Sequence, residues 1–256
     1  MSQPSPRRVM IAGTDTGVGK TVVTVAVARW FRSRAIPVGL YKPACSGSEP
    51  GHEEQPVWGD IEQHWAALEG AFPRDWICPQ RFRAPLAPCD AARTEGRTVD
   101  DRLLRTGADV WTGQVQLLLI EGAGGLLSPL SDETDNATLA ADLQTPLILV
   151  SAWRLGAVNQ TLLTLEVARG RGLSVAAVVL NEVHPGEADS PAGQSSLRLL
   201  RSRLSASSGT AVPGSSATAA RSARPAVPLV ESYWEGSGDL LQQKSFRTID
   251  WQRLIW

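Results

Sequence analysis

The sequence predicts an α/β fold: a doubly wound, mostly parallel sheet with helices on both faces. Three observations carry the prediction. Short apolar runs recur at residues 9–12, 38–41, 115–120, 146–152 and 175–180 with little alternation, as in strands buried on both faces. Helical patterns lie between them, clearest over 157–169, where Val158, Leu162, Leu163, Leu165, Val167 and Ala168 form a broad apolar face that ends before Gly170 and Gly172. A glycine-rich loop joins the first run to the first helical pattern. In such sheets ligands bind at the carboxyl ends of the strands, which puts the polar motifs on one rim.

The first run, Val9-Met10-Ile11-Ala12, leads into Gly13-Thr14-Asp15-Thr16-Gly17-Val18-Gly19-Lys20-Thr21. A helix follows with Val22, Val23, Val25, Ala26, Val27, Trp30 and Phe31 as its apolar residues. Strand, glycine loop and helix in that order read as a phosphate-binding loop, and the fold as the P-loop NTPase type. Backbone amides at a helix N-terminus, aided by the helix dipole, suit an anion. Lys20 would reach the β- and γ-phosphates, and the Thr21 hydroxyl would ligate magnesium. The loop is a variant: Thr14 stands six positions before the lysine, where the strict pattern has glycine, and Gly13 comes one step earlier.

The second run is followed by Tyr41-Lys42-Pro43-Ala44-Cys45-Ser46-Gly47-Ser48. Lys42 could clamp phosphate and substrate from a strand end, or be a solvated charge. Residues 47–56 are polar and rich in Glu, Gly and Pro, and predict a mobile loop over the rim. Asp60, in Trp58-Gly59-Asp60-Ile61, could serve a ligand or merely cap the next helix. The third run ends on Glu121, followed by Gly122-Ala123-Gly124-Gly125. An acidic residue at the tip of the strand beside the loop is the usual magnesium partner of the loop hydroxyl, and the glycines let a ligand approach the backbone. Residues 205–225 are almost entirely Ser, Ala, Gly, Thr, Pro and Arg, a composition that predicts a flexible insertion.

Bulk properties narrow the classes. The 256 residues suit one large domain spanning 1–256. A net charge of -1, with 20% charged residues of balanced sign, leaves no footprint for nucleic acid or an anionic membrane. Cys45, Cys78 and Cys89 show neither a disulfide framework nor zinc spacing. Residues 1–8 lack the apolar segment of a secretory signal and no stretch approaches a membrane span, so a cytoplasmic protein is expected. His52, His64 and His184 lie far apart, without ligand spacing, and are expected to be solvated or loosely packed. The nine tryptophans are scattered, as for core and surface packing.

The motifs GTDTGVGKT, YKPACSGS, LIEGAGGLLSPLSD and the RLGAVNQTLLT to VVLNEV stretch, in that order, resemble dethiobiotin synthetase across residues 9–183, with a fainter continuation at Val227-Pro228-Leu229. The resemblance implies a cyclo-ligase that closes a cyclic urea on 7,8-diaminononanoate with carbon dioxide, ATP and Mg2+, through a carbamate and a mixed carbamic-phosphoric anhydride. It implies that Lys20 and Lys42 stabilise phosphate and carbamate charge, and that Thr21, Asp60 and Glu121 hold magnesium. Gly17, Val18, Gly19, Lys20, Thr21 and Val22, with Glu121, Gly122, Ala123 and Gly124, would line the triphosphate. Asn181, Glu182 and the backbone near Pro228 would read adenine. Thr16 and Ser46 would face the substrate. Gly156, Ala157, Val158 and Asn159, at a helix start, would receive the substrate carboxylate of the second subunit of a homodimer.

Three departures from the resemblance are visible. Ala87-Pro88-Cys89 stands where many members have Ser-Pro-His, residues 191–200 contain no tyrosine, and the 205–225 stretch interrupts the last part of the nucleotide pocket. Two other readings of the same residues are disfavoured. Cobyrinate- or cobyrate-type synthases would need a glutaminase domain for which the chain has no room. Partition-type ATPase switches carry a signature lysine where this chain has Asp15.

Overall fold

The computed structural model describes residues 4–51, 55–205, 226–233 and 249–255. Strand β1 (Arg7–Gly13) passes through the glycine loop into helix α1 (Lys20–Arg32), and β2 (Val38–Tyr41) follows. A two-residue ribbon of β3 (Glu49–Pro50) and β4 (Pro56–Val57) precedes α2 (Gly59–Ala67), α3 (Arg74–Ile77), α4 (Pro88–Thr94) and α5 (Asp101–Thr106). Then come β5 (Leu117–Gly125), α6 (Asn136–Asp142), β6 (Leu147–Ala152), α7 (Ala157–Gly170) and β7 (Val175–Asn181). Helix α8 (Pro191–Ser205), β8 (Leu229–Ser232) and α9 (Trp251–Ile255) follow, and a 3-10 turn, Gly107–Trp111, links α5 to β5.

The main sheet has the order β2-β5-β1-β6-β7-β8, with every neighbouring pair parallel. Its central strands are buried on both faces: Met10 and Ile11 of β1, Leu117 to Ile120 of β5 and Leu147 to Val150 of β6 are all 0% exposed. That is why they read as unbroken apolar runs. From β1 the chain crosses to β2, and later passes from β5 over β1 to β6. Right-handed connections running in opposite directions cover opposite faces, so α1 lies on one face and α7 on the other, and a crevice opens at the carboxyl end of β1.

Strand β5 runs further than its apolar stretch. Pairing with β1 continues through Ile11 opposite Glu121, breaks register, and resumes at Gly13 opposite Gly125. Glu121 therefore lies within the ladder and does not end it. The stretch expected to be a free loop at 47–56 is partly ordered: the amides of Gly47 and Ser48 donate to the carbonyls of Ala84 and Arg83, and Glu49 pairs with Val57. Residues 52–54, with His52, and 206–225, with nearly all of the low-complexity stretch, lie outside the described residues. Trp111, Trp153 and Trp251 are fully buried, Trp111 against Phe72 at 4.8 Å between ring centroids. Cys45, Cys78 and Cys89 are buried free thiols. Among the described residues no helix is long and apolar enough to cross a membrane.

Candidate active site

The loop after β1 is shaped by crowding as well as by dihedral angles. A Cβ on Gly13 would lie 2.6 Å from the Asp15 carbonyl and 3.1 Å from that of Gly124, so the glycine is needed there for space. Thr14 is not among the residues with positive φ and tolerates a side chain, which accounts for the shifted glycine. Gly19 caps α1 in the left-handed region, φ 88°, where a Cβ would meet Asn181 Nδ2 at 2.2 Å. The first-turn amides of α1 have no acceptor within the helix and face the rim, an arrangement that receives phosphate. Lys20 curls over the loop and donates to the Asp15 carbonyl at 3.1 Å. Burial lowers its pKa, with Glu121 opposing in part, and an anion placed beside it would raise it again.

Three elements bring acidic and basic groups to this loop. Lys42 follows β2, Asp60 sits in the first turn of α2, and Glu121 belongs to β5. Lys42 Nζ donates to Glu121 Oε1 at 2.7 Å and to Asp60 Oδ2. The Thr21 hydroxyl lies 2.9 Å from Asp60 Oδ1 and 2.8 Å from Glu121 Oε1. Burial pulls the Lys42 pKa down, but Glu121 and then Asp60 pull it up further and hold the ammonium charged. Burial likewise pushes the Glu121 carboxyl up, and Lys42 and then His64 overcome this, holding it well below the ordinary glutamate range. Asp60 does not cap its helix: the cap position is Trp58, which makes no side-chain cap bond. Lys42, 4% exposed, is not the solvated charge that was its other reading.

This donor set fits magnesium. Thr21 has one hydroxyl proton but two carboxylate oxygens within 3 Å, so at least one of those oxygen pairs approaches without a proton between. A hydroxyl and two carboxylates are hard oxygen ligands, few enough to leave positions for phosphate oxygens and water, as Mg2+ prefers. Among the described residues no cluster of three or more His, Cys, Asp or Glu forms a richer site.

A cleft of about 410 Å³ gathers Thr16, Gly17, Gly19, Lys20, Thr21, Val22, Lys42, Ser46, Asp60, Glu121, Ala123 and Gly124, together with Cys45 and Gln63, which the sequence had not marked as site residues. Burial pushes the Cys45 thiol up to about 11, so it stands there as a neutral wall. Ser46 donates its hydroxyl to the Leu86 carbonyl at 2.6 Å. Val18 and Gly122 lie outside the lining. A Cβ on Gly122 would meet Asn136 Oδ1 at 2.4 Å, so this glycine makes room for Asn136, whose amide donates to the carbonyls of Ala123 and Gly125 and braces the segment after Glu121.

Asn181, at the carboxyl end of β7, is 2% exposed; it donates to the Val18 carbonyl at 3.1 Å and accepts from Ser232 Oγ at 2.8 Å. Glu182 accepts from the Ala188 amide at 3.0 Å. Pro228 disagrees with its expected place. It precedes β8 at the amino end, its carbonyl accepting from Val178, and the rim end of β8 is Ser232, about 13 Å of strand away. Because β8 runs parallel to β7, Ser232 and Tyr233 stand beside Asn181 where adenine contacts were expected from Pro228. Gly156, Ala157, Val158 and Asn159 begin α7 outside this cleft; Gly156 is exposed with φ 92°, and Asn159 is exposed.

His64 is the main correction. Expected to be solvated or loosely packed, it is 0% exposed, with Nε2 2.8 Å from Glu121 Oε2. It lies four residues after Asp60, so α2 carries both on one face. That Asp-x-x-x-His spacing was the available signal. His184 is exposed, as expected.

A parallel sheet whose central strand delivers a glycine loop, a lysine and a hydroxyl to two carboxylates on neighbouring elements defines a P-loop nucleotide-binding enzyme. A family described as an AAA domain matches residues 7–215. The ATP-dependent dethiobiotin synthetase of Anaeromyxobacter sp. (strain Fw109-5) is 44% identical over 176 residues, covering 69% of this chain and 77% of that protein. Those of Caulobacter vibrioides (strain NA1000 / CB15N) and Rhodopirellula baltica are 40% identical over 199 residues and 37% over 183, covering 76% and 68% of this chain and 87% and 72% of theirs. The chain belongs to the dethiobiotin synthetase family, a family of ATP-dependent ligases in biotin synthesis.

Proposed function

We propose that the enzyme closes the ureido ring of dethiobiotin from 7,8-diaminononanoate and carbon dioxide, cleaving ATP to ADP and phosphate with Mg2+. The observation that carries this reading is the convergence of Lys20, Thr21, Lys42, Asp60 and Glu121 in one cleft. One amine of the substrate takes up carbon dioxide as a carbamate, a carbamate oxygen attacks the γ-phosphorus, and ADP leaves. The second amine then attacks the anhydride carbonyl, the ring closes, and phosphate departs. None of these steps requires a nucleophilic side chain; positioning and charge neutralisation suffice.

Each residue has a role in that scheme. Lys20 and the amides of Gly17 to Val22 hold the triphosphate, with Ala123 and Gly124 on the opposite wall. Lys42, held charged, neutralises the carbamate and the transferring phosphoryl group. Thr21, Asp60 and Glu121 would hold Mg2+, which would supply charge neutralisation for the triphosphate. Thr16 and Ser46 face the diamine. Asn181 and Glu182 border the adenine. The helix start at Gly156 to Asn159 takes the substrate carboxylate of a second subunit, and the exposed Leu127, Leu155 and Leu163 support a homodimer. The enzyme acts on small molecules in the cytoplasm, without nucleic acid or membrane partners.

The test is to incubate purified protein with diaminononanoate, bicarbonate, Mg2+ and ATP and follow dethiobiotin and ADP by mass spectrometry. Both are expected to accumulate in equal amounts. Absence of dethiobiotin across pH and metal conditions would overturn the assignment, and ADP without dethiobiotin would point to a nucleotide-driven switch.

A further inference from the structure

Glu121 uses its two oxygens in opposite directions. Oε1 faces the cleft, beside Thr21 Oγ1 and Lys42 Nζ. Oε2 points into the protein, toward His64 Nε2 at 2.8 Å, and both side chains are 0% exposed. An ionised carboxylate only accepts, so Nε2 carries the hydrogen and donates it. The other ring nitrogen, Nδ1, is buried and has no hydrogen-bond partner among the described residues. Among the described residues the imidazole thus has one hydrogen-bond partner, Glu121.

Core filling does not account for this. A leucine would occupy similar space without burying an unpaired nitrogen, which carries a desolvation penalty of its own. What histidine adds is a directed N–H at the rear oxygen. It adds it from the helix that also carries Asp60, one turn nearer the cleft. Through His64 the α2 helix is tied to β5 at the point where Asp60 and Glu121 share the Thr21 hydroxyl.

We infer that His64 is a positioning residue for the cation site: it withdraws Oε2 from the cleft, so that a divalent ion meets Glu121 through Oε1 alone, and it sets the spacing between Glu121 and Asp60. This rests on the reading of Thr21, Asp60 and Glu121 as the magnesium ligands. Groups that orient a ligating side chain from behind are worth about 10- to 100-fold in metal affinity or activity.

The experiment titrates Mn2+ into the protein with ADP present and reads bound metal by electron paramagnetic resonance, without turnover. His64→Leu is expected to fold and to bind Mn2+ about 10- to 100-fold more weakly, while nucleotide affinity in EDTA stays within about twofold. In the ligase assay the same variant should show a raised Mg2+ requirement, with kcat largely recovered at saturating Mg2+. His64→Gln, which can still donate to Oε2, should restore most of the Mn2+ affinity. Unchanged Mn2+ affinity in His64→Leu overturns the inference, as does an equal loss of metal-free nucleotide binding, which would mark His64 as scaffold only. If His64→Leu does not fold, His64→Ala and His64→Gln are compared, and equal Mn2+ affinities in the two overturn it. Because Mn2+ binding is read without chemistry, a wild type that makes no dethiobiotin while His64→Leu still loses Mn2+ would sink the reaction assignment and leave this role standing.

Discussion

Lys42 and Glu121, 79 residues apart in the chain, meet at 2.7 Å with side chains 5% and 0% exposed. A buried pair of this kind adds little to stability compared with apolar residues, but removing one partner strands the other. Lys42→Ala should therefore abolish turnover, leave ATP affinity within a few-fold, and destabilise the fold by about 3–5 kcal/mol at neutral pH. Urea unfolding and a ligase assay on the same preparation check both halves. Residual activity near wild type would remove Lys42 from the chemistry.

The same pair sets the response to acid. The folded-state pKa of Glu121 lies below its ordinary 4.5, so in that window the unfolded chain binds more protons than the folded one. Its contribution is fully present above about pH 4.5 and is lost as pH falls toward the depressed value. Lys42 is raised above its ordinary 10.5, so the matching alkaline loss begins only beyond that value. The stability difference between wild type and Glu121→Gln should hold steady above about pH 5 and shrink as pH falls from about 5 to about 3. A gap that stays constant over this range, measured by urea unfolding, would contradict the assignment.

Gly19 and Asn181 form a second testable contact. Gly19→Ala places a methyl 2.2 Å from Asn181 Nδ2 at φ 88°, a left-handed conformation that costs a residue with a side chain about 1–2 kcal/mol. Nucleotide affinity, measured by calorimetry, should fall about tenfold or more, since the helix start that receives phosphate is displaced. Asn181→Ser in the same chain should recover part of the loss, giving a coupling of at least about 0.5 kcal/mol. Strict additivity would mean that the two residues do not touch in solution.

Much of this was legible in the sequence alone. Unalternating runs such as Leu117 to Ile120 show a strand buried on both faces, and Gly17, Gly19, Lys20 and Thr21 carry their chemistry in their spacing. Glu121 was visible for the same reason, as a carboxylate set against glycines. His64 was not, because a single histidine in a polar helix, flanked by Gln63 and Trp65, shows its partner only when β5 is packed behind α2. Pro228 was misplaced because its sequence neighbourhood gives no strand direction; the parallel pairing of β7 with β8 does. Asn136 escaped notice since its role depends on the missing side chain of Gly122, a contact between β5 and the start of α6.

Strand β5 lies between β1 and β2, with Leu117 opposite both Arg7 and Val38. This alignment is also a chemical specification. Side chains along a strand alternate between faces, so a slip of one residue in the β1–β5 ladder would turn Glu121 away from Thr21 while leaving a sheet with the same number of strands and nearly the same hydrogen bonds. Such a molecule would pass every measure of secondary structure and lack the contact between Thr21 and Glu121. The catalytic competence of the enzyme is thus decided when two neighbouring strands align, before any ligand arrives.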